Sequence, residues 1–213
     1  MIEFSYLCFL LFTLTFLVLL FIKNSNISPK KIKIFLNIVL IPLIIRYITL
    51  IINFTVEEQR IIYFFKYLYN LNYLCIPLII IVILYIFLRN ENLRFNYLYI
   101  IIIAFTTLYL MMVKFYKHSI LIDIKFGFII RLENSSLVTL IYLIIIASFL
   151  VFTLMNLDKP FSNKIGMRYI LGALCLYLVE FILVLSGLYI YPFSIIGELL
   201  VYLVLLKSIS TFK

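Results

Sequence analysis

Arg46, Glu180 and Glu198 each stand inside a long apolar run, where an ionised side chain must find a partner or a water-lined cavity. Arg46 lies 12 residues into a run beginning near 34, and Glu180 lies 12 residues into a run beginning near 168. At about 1.5 Å per helical residue, both sit roughly 18 Å from the same end. Glu198 lies 8 residues into an oppositely directed run beginning near 190. That places it roughly 12 Å from the other end of a hydrocarbon core about 30 Å thick. The charges therefore share one level, and the forked donors of one guanidinium can serve two carboxylates. The layer reads either as a structural polar cluster or as the wall of a ligand cavity or ion path, unless the glutamates are protonated and satisfied separately. Pro42, one turn before Arg46, frees a carbonyl near this level.

Other chemistry is sparse. His118 is the only histidine, which excludes a multi-histidine metal centre, so no metal or other cofactor is expected. Cys8, Cys75 and Cys175 lack metal-binding or disulfide-motif spacing and read as small apolar fillers. No phosphate loop, dinucleotide fingerprint, zincin motif or nucleophile elbow is present, and the chain reads as a non-enzyme. Were it a membrane-embedded enzyme, Glu180 and Glu198 would be the acid–base pair. Outer-loop candidates for ligand contact are His118, Asp123 and Lys125.

The elements that must position these residues are membrane helices. The 213 residues are 66% hydrophobic and 13% charged, and the mean hydropathy is +1.23. That much apolar surface needs a solvent other than water. Barrel strands would alternate polar and apolar residues, whereas Ile76 to Leu88 does not. An all-α bundle of seven transmembrane helices is expected, with spans near 4–22, 34–54, 67–88, 95–115, 136–156, 168–187 and 190–209, in a single domain covering 1–213. Pro42 and Pro77 predict kinks in the second and third spans. Asn37 and Asn53 are candidates for interhelical hydrogen bonds, and Gly172-Ala173 and Ser186-Gly187 for close helix contact.

Charge orients the bundle. Glu3 stands where a signal peptide would carry positive charge, and Lys23, Lys30, Lys31 and Lys33 follow the first apolar run, so that run reads as a retained helix. With the N-terminus outside and the C-terminus inside, the inner segments hold 11 Lys/Arg and the outer ones six, with Arg46 inside a span. The formal charge of +9 flanks hydrophobic spans instead of forming one face, which argues against nucleic acid. Multi-pass residence in a cell membrane, in a composition like that of an AT-rich bacterial genome, points to a bacterial plasma membrane.

Two connections carry further signals. Thr55-Val56-Glu57-Glu58 has capping-box spacing, and residues 58–70 interleave charges with Tyr63, Phe64, Phe65, Tyr67 and Tyr69, as an outer extension of the third helix or a short interfacial helix would. With 17 Tyr and no Trp, tyrosine must supply most of the aromatic belt. Residues 119–132 are β-branched, apolar and interrupted by Gly127, which favours a small outer hairpin over a re-entrant lid. Such a hairpin is either a flap packing the helix ends or the roof of a ligand site.

The order and spacing of these segments resemble the N-terminal seven-helix sensor region of bacterial membrane histidine kinases and related signalling proteins. The residues that carry the resemblance are Leu74-Cys75-Ile76-Pro77-Leu78-Ile79, like that family's proline-bearing third span, and Thr106 to His118, like its fourth span and histidine-bearing exit. Gly187-Leu188-Tyr189-Ile190-Tyr191-Pro192 is similar to its short outer turn. The long outer loop lacks the family's glycine-proline-aromatic pattern. The resemblance implies an outward-looking sensor that binds a small ligand, peptide or lipid and moves its last helix against a cytoplasmic signalling partner, or within a homodimer. In that family the last helix feeds an intracellular kinase or cyclase domain. This sequence ends at Lys213, so it reads as an excised sensor portion or a standalone relative. The alternatives are a transport or channel subunit using the Arg/Glu layer, and a structural or assembly protein among membrane lipids.

Overall fold

The computed structural model describes every residue except Met1, Glu57, 90–94, Ile124, Asn134, Ser135, Tyr189 and Lys213. Arg94, Lys213, Glu57 and Tyr189, which entered the charge count, the capping box and the outer turn, lie outside the described residues. Among the described residues, eight α-helices and one hairpin follow in the order α1 (Ile2–Ile27), α2 (Lys30–Thr55), α3 (Gln59–Phe65), α4 (Asn72–Leu88), α5 (Asn96–Phe115), β1 (His118–Asp123), β2 (Gly127–Leu132), α6 (Ser136–Asn156), α7 (Lys164–Leu185) and α8 (Ile195–Ile209). The fold is an all-α bundle with several long apolar helices, in keeping with a polytopic membrane protein. Among the described residues, six helices are long and apolar enough to cross a membrane, and α4 is a shorter apolar one.

These sequences form helices despite their many isoleucines because, without water, each backbone amide must be satisfied within its own segment. α2 and α4 stay helical through Pro42 and Pro77. Surface composition carries the same message. α5 presents Ile100, Ile103, Leu108, Leu110, Met111 and Phe115 outward, and α6 presents Leu137, Leu140, Ile141, Ile144, Val151 and Met155. Contiguous apolar faces of this kind suit hydrocarbon and not water.

α4 is the central post. Of its 17 residues, 13 are buried, and α2, α5, α6, α7 and α8 all pack on it. Its length is about 25 Å at the usual rise, short of a full hydrocarbon crossing. The third expected span thus begins at Asn72, not near 67; residues 66–71 form turns, and α3 is a separate short helix. The capping box is also corrected. Thr55 ends α2 and donates its hydroxyl to the Ile51 carbonyl, while Glu58 precedes α3 with no side-chain cap. At the opposite end, Asn163 starts α7 by accepting from the Gly166 N–H, and its own N–H donates to the Phe87 carbonyl of α4.

The hairpin expected near 119–132 is present, antiparallel, with His118 opposite Leu132 and Asp123 opposite Gly127. Asp123 fixes the turn by accepting from the Lys125 N–H at 2.8 Å. Gly127 has φ +71°, and a Cβ there would meet the Asn53 carbonyl oxygen at 2.7 Å. The absent side chain lets the turn rest on the end of α2. Phe126, Phe128, Ile129 and Ile130 are buried beneath it, and Tyr6 of α1 packs edge-on to Phe126 and Phe54. The N-terminal end of α1, the hairpin and the α7–α8 connection therefore share one end of the bundle.

Candidate functional site

Arg46 and Glu198 meet as expected. The Arg46 Nη1 to Glu198 Oε2 distance is 2.6 Å, and the two side chains are 1% and 0% exposed. Arg46 Nε also donates to the Tyr69 carbonyl at 3.0 Å. The same carboxylate oxygen accepts from the Tyr47 hydroxyl at 2.7 Å and from Tyr202 at 3.4 Å. One ion pair thus binds α2, α8 and the turn before α4 into a single knot. Glu198 Oε1 is buried with no hydrogen-bond partner among the described residues, and burying such an atom is costly unless something satisfies it.

Glu180 departs from the expected three-membered cluster. Its carboxylate accepts from the backbone N–H groups of Ile196, at 3.2 Å, and Gly197, at the start of α8. It satisfies free helix-terminal donors and places negative charge at the positive end of the helix dipole. The three charges do share a level, since Glu180 reaches Gly197 beside Glu198, but Glu180 faces the start of α8, which begins at Ile195, and not Arg46. Residues 190–194 are not helical, so Glu198 sits in the first turn and not two turns down. Gly197 is what lets α7 come close. A Cβ there would lie 2.6 Å from the Tyr177 ring and 3.0 Å from Glu180 Oε2. Gly172, singled out for close contact, meets nothing within 4 Å.

The outer-loop candidates do not converge. His118 lies at the open end of the hairpin, while Asp123 and Lys125 lie at its turn, roughly 17 Å away at the usual strand rise. Asp123 is used by the turn itself, and Lys125 is exposed beside it. His118 packs edge-on to Tyr67 at 5.5 Å, and its Nε2 is buried without a partner among the described residues. Partial burial, and then the positive charge of Lys66, hold its pKa below the ordinary histidine range.

The cavity at this end is built from other residues. A space of about 450 Å³ lies beneath β2, bounded by Ile129–Leu132, by Asn70, Asn72 and Tyr73 at the head of α4, and by the end of α7 with Pro192, Phe193 and Ser194. Arg131 lines it, and among the described residues no carboxylate does. The Asn70 amide nitrogen is buried and unpartnered among the described residues. Tyr73 also lines a narrower apolar slot of about 200 Å³ between α5 and α6, with Tyr109, Met112 and Tyr142. An aromatic column backs both spaces. Tyr73 meets Tyr142 at 4.7 Å, and the Tyr142 and Tyr177 hydroxyls are hydrogen-bonded at 2.7 Å.

Sequence reasoning missed this column, because tyrosine was assigned to the interfacial belt. Tyr6, Tyr47, Tyr69, Tyr177 and Tyr202 are instead among the largest fully buried side chains. The available signal was the spacing of Tyr177 and Phe181, which places both on one helix face. Asn37 does accept across helices, from Asn24 at 2.8 Å, whereas both polar atoms of Asn53 are buried without a partner among the described residues. Cys8 and Cys175 are exposed and Cys75 is buried, all as free thiols. No group of metal-ligating side chains occurs among the described residues. Comparison with family models, with curated proteins and with solved structures finds no match.

Proposed function

We propose that the chain is a signal-receiving membrane bundle of seven spans, N-terminus outside, that binds a small ligand, peptide or lipid beneath its hairpin and acts on a cytoplasmic partner through α8. The single observation that carries this reading is the wall shared by the cavity and α8. Pro192, Phe193 and Ser194 line the space immediately before α8 begins. A ligand touching them has differential contact with any two positions of that helix, which a binding-driven change requires. The cavity falls in the size range of small-molecule sites and offers Asn, Ser and Arg side chains against an aromatic wall. The adjoining slot at Tyr73 gives an apolar ligand a route from the bilayer. The resemblance to the sensor region of bacterial membrane histidine kinases supports the same reading, as does the 11-to-six Lys/Arg bias, which favours an outer position for the hairpin.

The test uses Val184, which lines the cavity from α7. Purified wild type and Val184→Trp are screened by thermal shift against small metabolites, short peptides and single-chain lipids. Compounds that stabilise wild type but not the filled variant are expected. For each of them, spin labels on Lys207 and Asn26 should report a changed distance on binding. Stabilisation that survives filling, or binding that leaves the label distance unaltered, would contradict the reading.

A second reading, proton or ion movement through the layer, is favoured by the unpartnered Glu198 Oε1. Proton flux into liposomes that is lost in Glu198→Gln would support it in place of sensing.

A further inference from the structure

α7 and α8 form a groove at the end of the bundle opposite the hairpin. Arg168, Gly172 and Leu176 recur at four-residue intervals along one face of α7, and Leu200, Leu203 and Lys207 form the facing stripe on α8. The helices are antiparallel neighbours, so Arg168 near the start of α7 and Lys207 near the end of α8 fall at the same end. Between the stripes lies a space of about 390 Å³ with both cations at one end and leucines beyond them. Gly172 makes the notch, because nothing lies within 4 Å of where its Cβ would be. Arg168 and Lys207 are exposed, and neither has an ion-pair partner among the described residues. Among the described residues, no carboxylate lines the groove.

We infer that this groove binds an anionic phospholipid, with the phosphate between Arg168 and Lys207 and an acyl chain along Gly172, Leu176 and Leu203. Charge and shape commit it to that occupant. Two unpaired cations one helix apart attract a phosphate, a guanidinium can hold it through paired hydrogen bonds, and a long apolar furrow leading away from them matches an attached hydrocarbon tail. A free inorganic anion would leave the leucine-lined length unused. A second protein copy would have to place an acidic group and a thin apolar ridge in the same notch. The site is independent of the hairpin cavity and lies against the helix assigned there to signalling, so lipid occupancy would bias the resting position of α8.

Native mass spectrometry of the full chain tests the site, with phosphatidylglycerol and phosphatidylcholine of identical acyl chains as probes. Wild type is expected to retain phosphatidylglycerol about tenfold better than phosphatidylcholine. Arg168→Gln with Lys207→Gln should abolish the preference, whereas Lys23→Gln with Lys30→Gln, the same charge change elsewhere at that end, should preserve it. Gly172→Leu fills the notch without touching either cation and should also release the lipid. A Cβ at this position meets nothing within 4 Å, so an unchanged melting temperature is expected; should it fail to fold, the paired charge variants still decide the question. Equal retention of the two lipids by wild type would overturn the inference, as would equal losses in both charge-variant pairs. Retention by a folded Gly172→Leu, displacement of the lipid by millimolar inorganic phosphate, or a protein dimer that disappears in Gly172→Leu would do the same.

Discussion

At the scale of single residues, the structure separates two glutamates that sequence had grouped. Glu198 shares a buried ion pair with Arg46, so Arg46→Met leaves a carboxylate without its cation. A loss of about 3 kcal/mol is expected from detergent melting curves, and Arg46→Met with Glu198→Leu should regain much of it. Additive losses in that cycle would contradict the pairing. Glu180→Gln should cost only about 1 kcal/mol, since an amide oxygen can still accept from one of the two α8 amides. Gly197→Ala should cost more than Glu180→Gln, because its methyl group meets Tyr177 ring and backbone atoms that cannot both retreat. His118 supplies a pH term. Its pKa is lowered by burial and then by Lys66, so the folded chain takes up its proton at lower pH than the unfolded chain. Stability is therefore full above the ordinary histidine range and falls as pH drops toward the lowered value. Melting temperatures across that range should decline more steeply in wild type than in His118→Gln; parallel declines would remove His118 as the cause.

Elements explain which of these relations were legible in advance. Long apolar runs announced the helices, and the β-branched stretch around Gly127 announced the hairpin, because hydrophobic length and local propensity are written along one chain. The start of α8 was not. Ile190, Tyr191, Pro192 and Phe193 are as apolar as a helix, yet they turn across the cavity before Ile195. Composition cannot distinguish a packed connection from a helical turn, so Glu198 reads as two turns into a helix when it stands in the first turn. Glycine roles were equally hidden. Gly172 and Gly197 look alike in sequence, while only the packing of α7 shows that Gly197 is in close contact and Gly172 faces open space. For the hairpin, the tertiary contact makes a sharper prediction than propensity does. Gly127→Val must place a branched side chain at φ +71° and 2.7 Å from the Asn53 carbonyl. The turn should lift from α2 and become accessible to limited proteolysis between Asp123 and Phe128 while the helices stay intact. Unchanged resistance would show that the hairpin does not depend on that close approach.

For the whole molecule, burial centres on α4, which α2, α5, α6, α7 and α8 surround, while α5 and α6 present most of their apolar surface outward. Such a bundle is stable only where hydrocarbon replaces water around it. Its two ends then differ in chemistry. One carries the hairpin, the Asn- and Arg-lined cavity and the segment leading into α8; the other carries Lys23, Lys30, Lys31 and Lys33, with Arg168 and Lys207. An outward-facing receptor requires the hairpin end to lie outside the cell. Lys125 at the hairpin turn and Asn26 at the opposite end are both exposed. Single cysteines at Lys125 and at Asn26, in a chain whose Cys8, Cys75 and Cys175 are replaced, should therefore be probed in intact cells with a membrane-impermeant thiol reagent. Labelling of Lys125→Cys, with Asn26→Cys reacting only after permeabilisation, is the result expected of an outward-facing cavity; labelling of Asn26→Cys with protection of Lys125→Cys would contradict it.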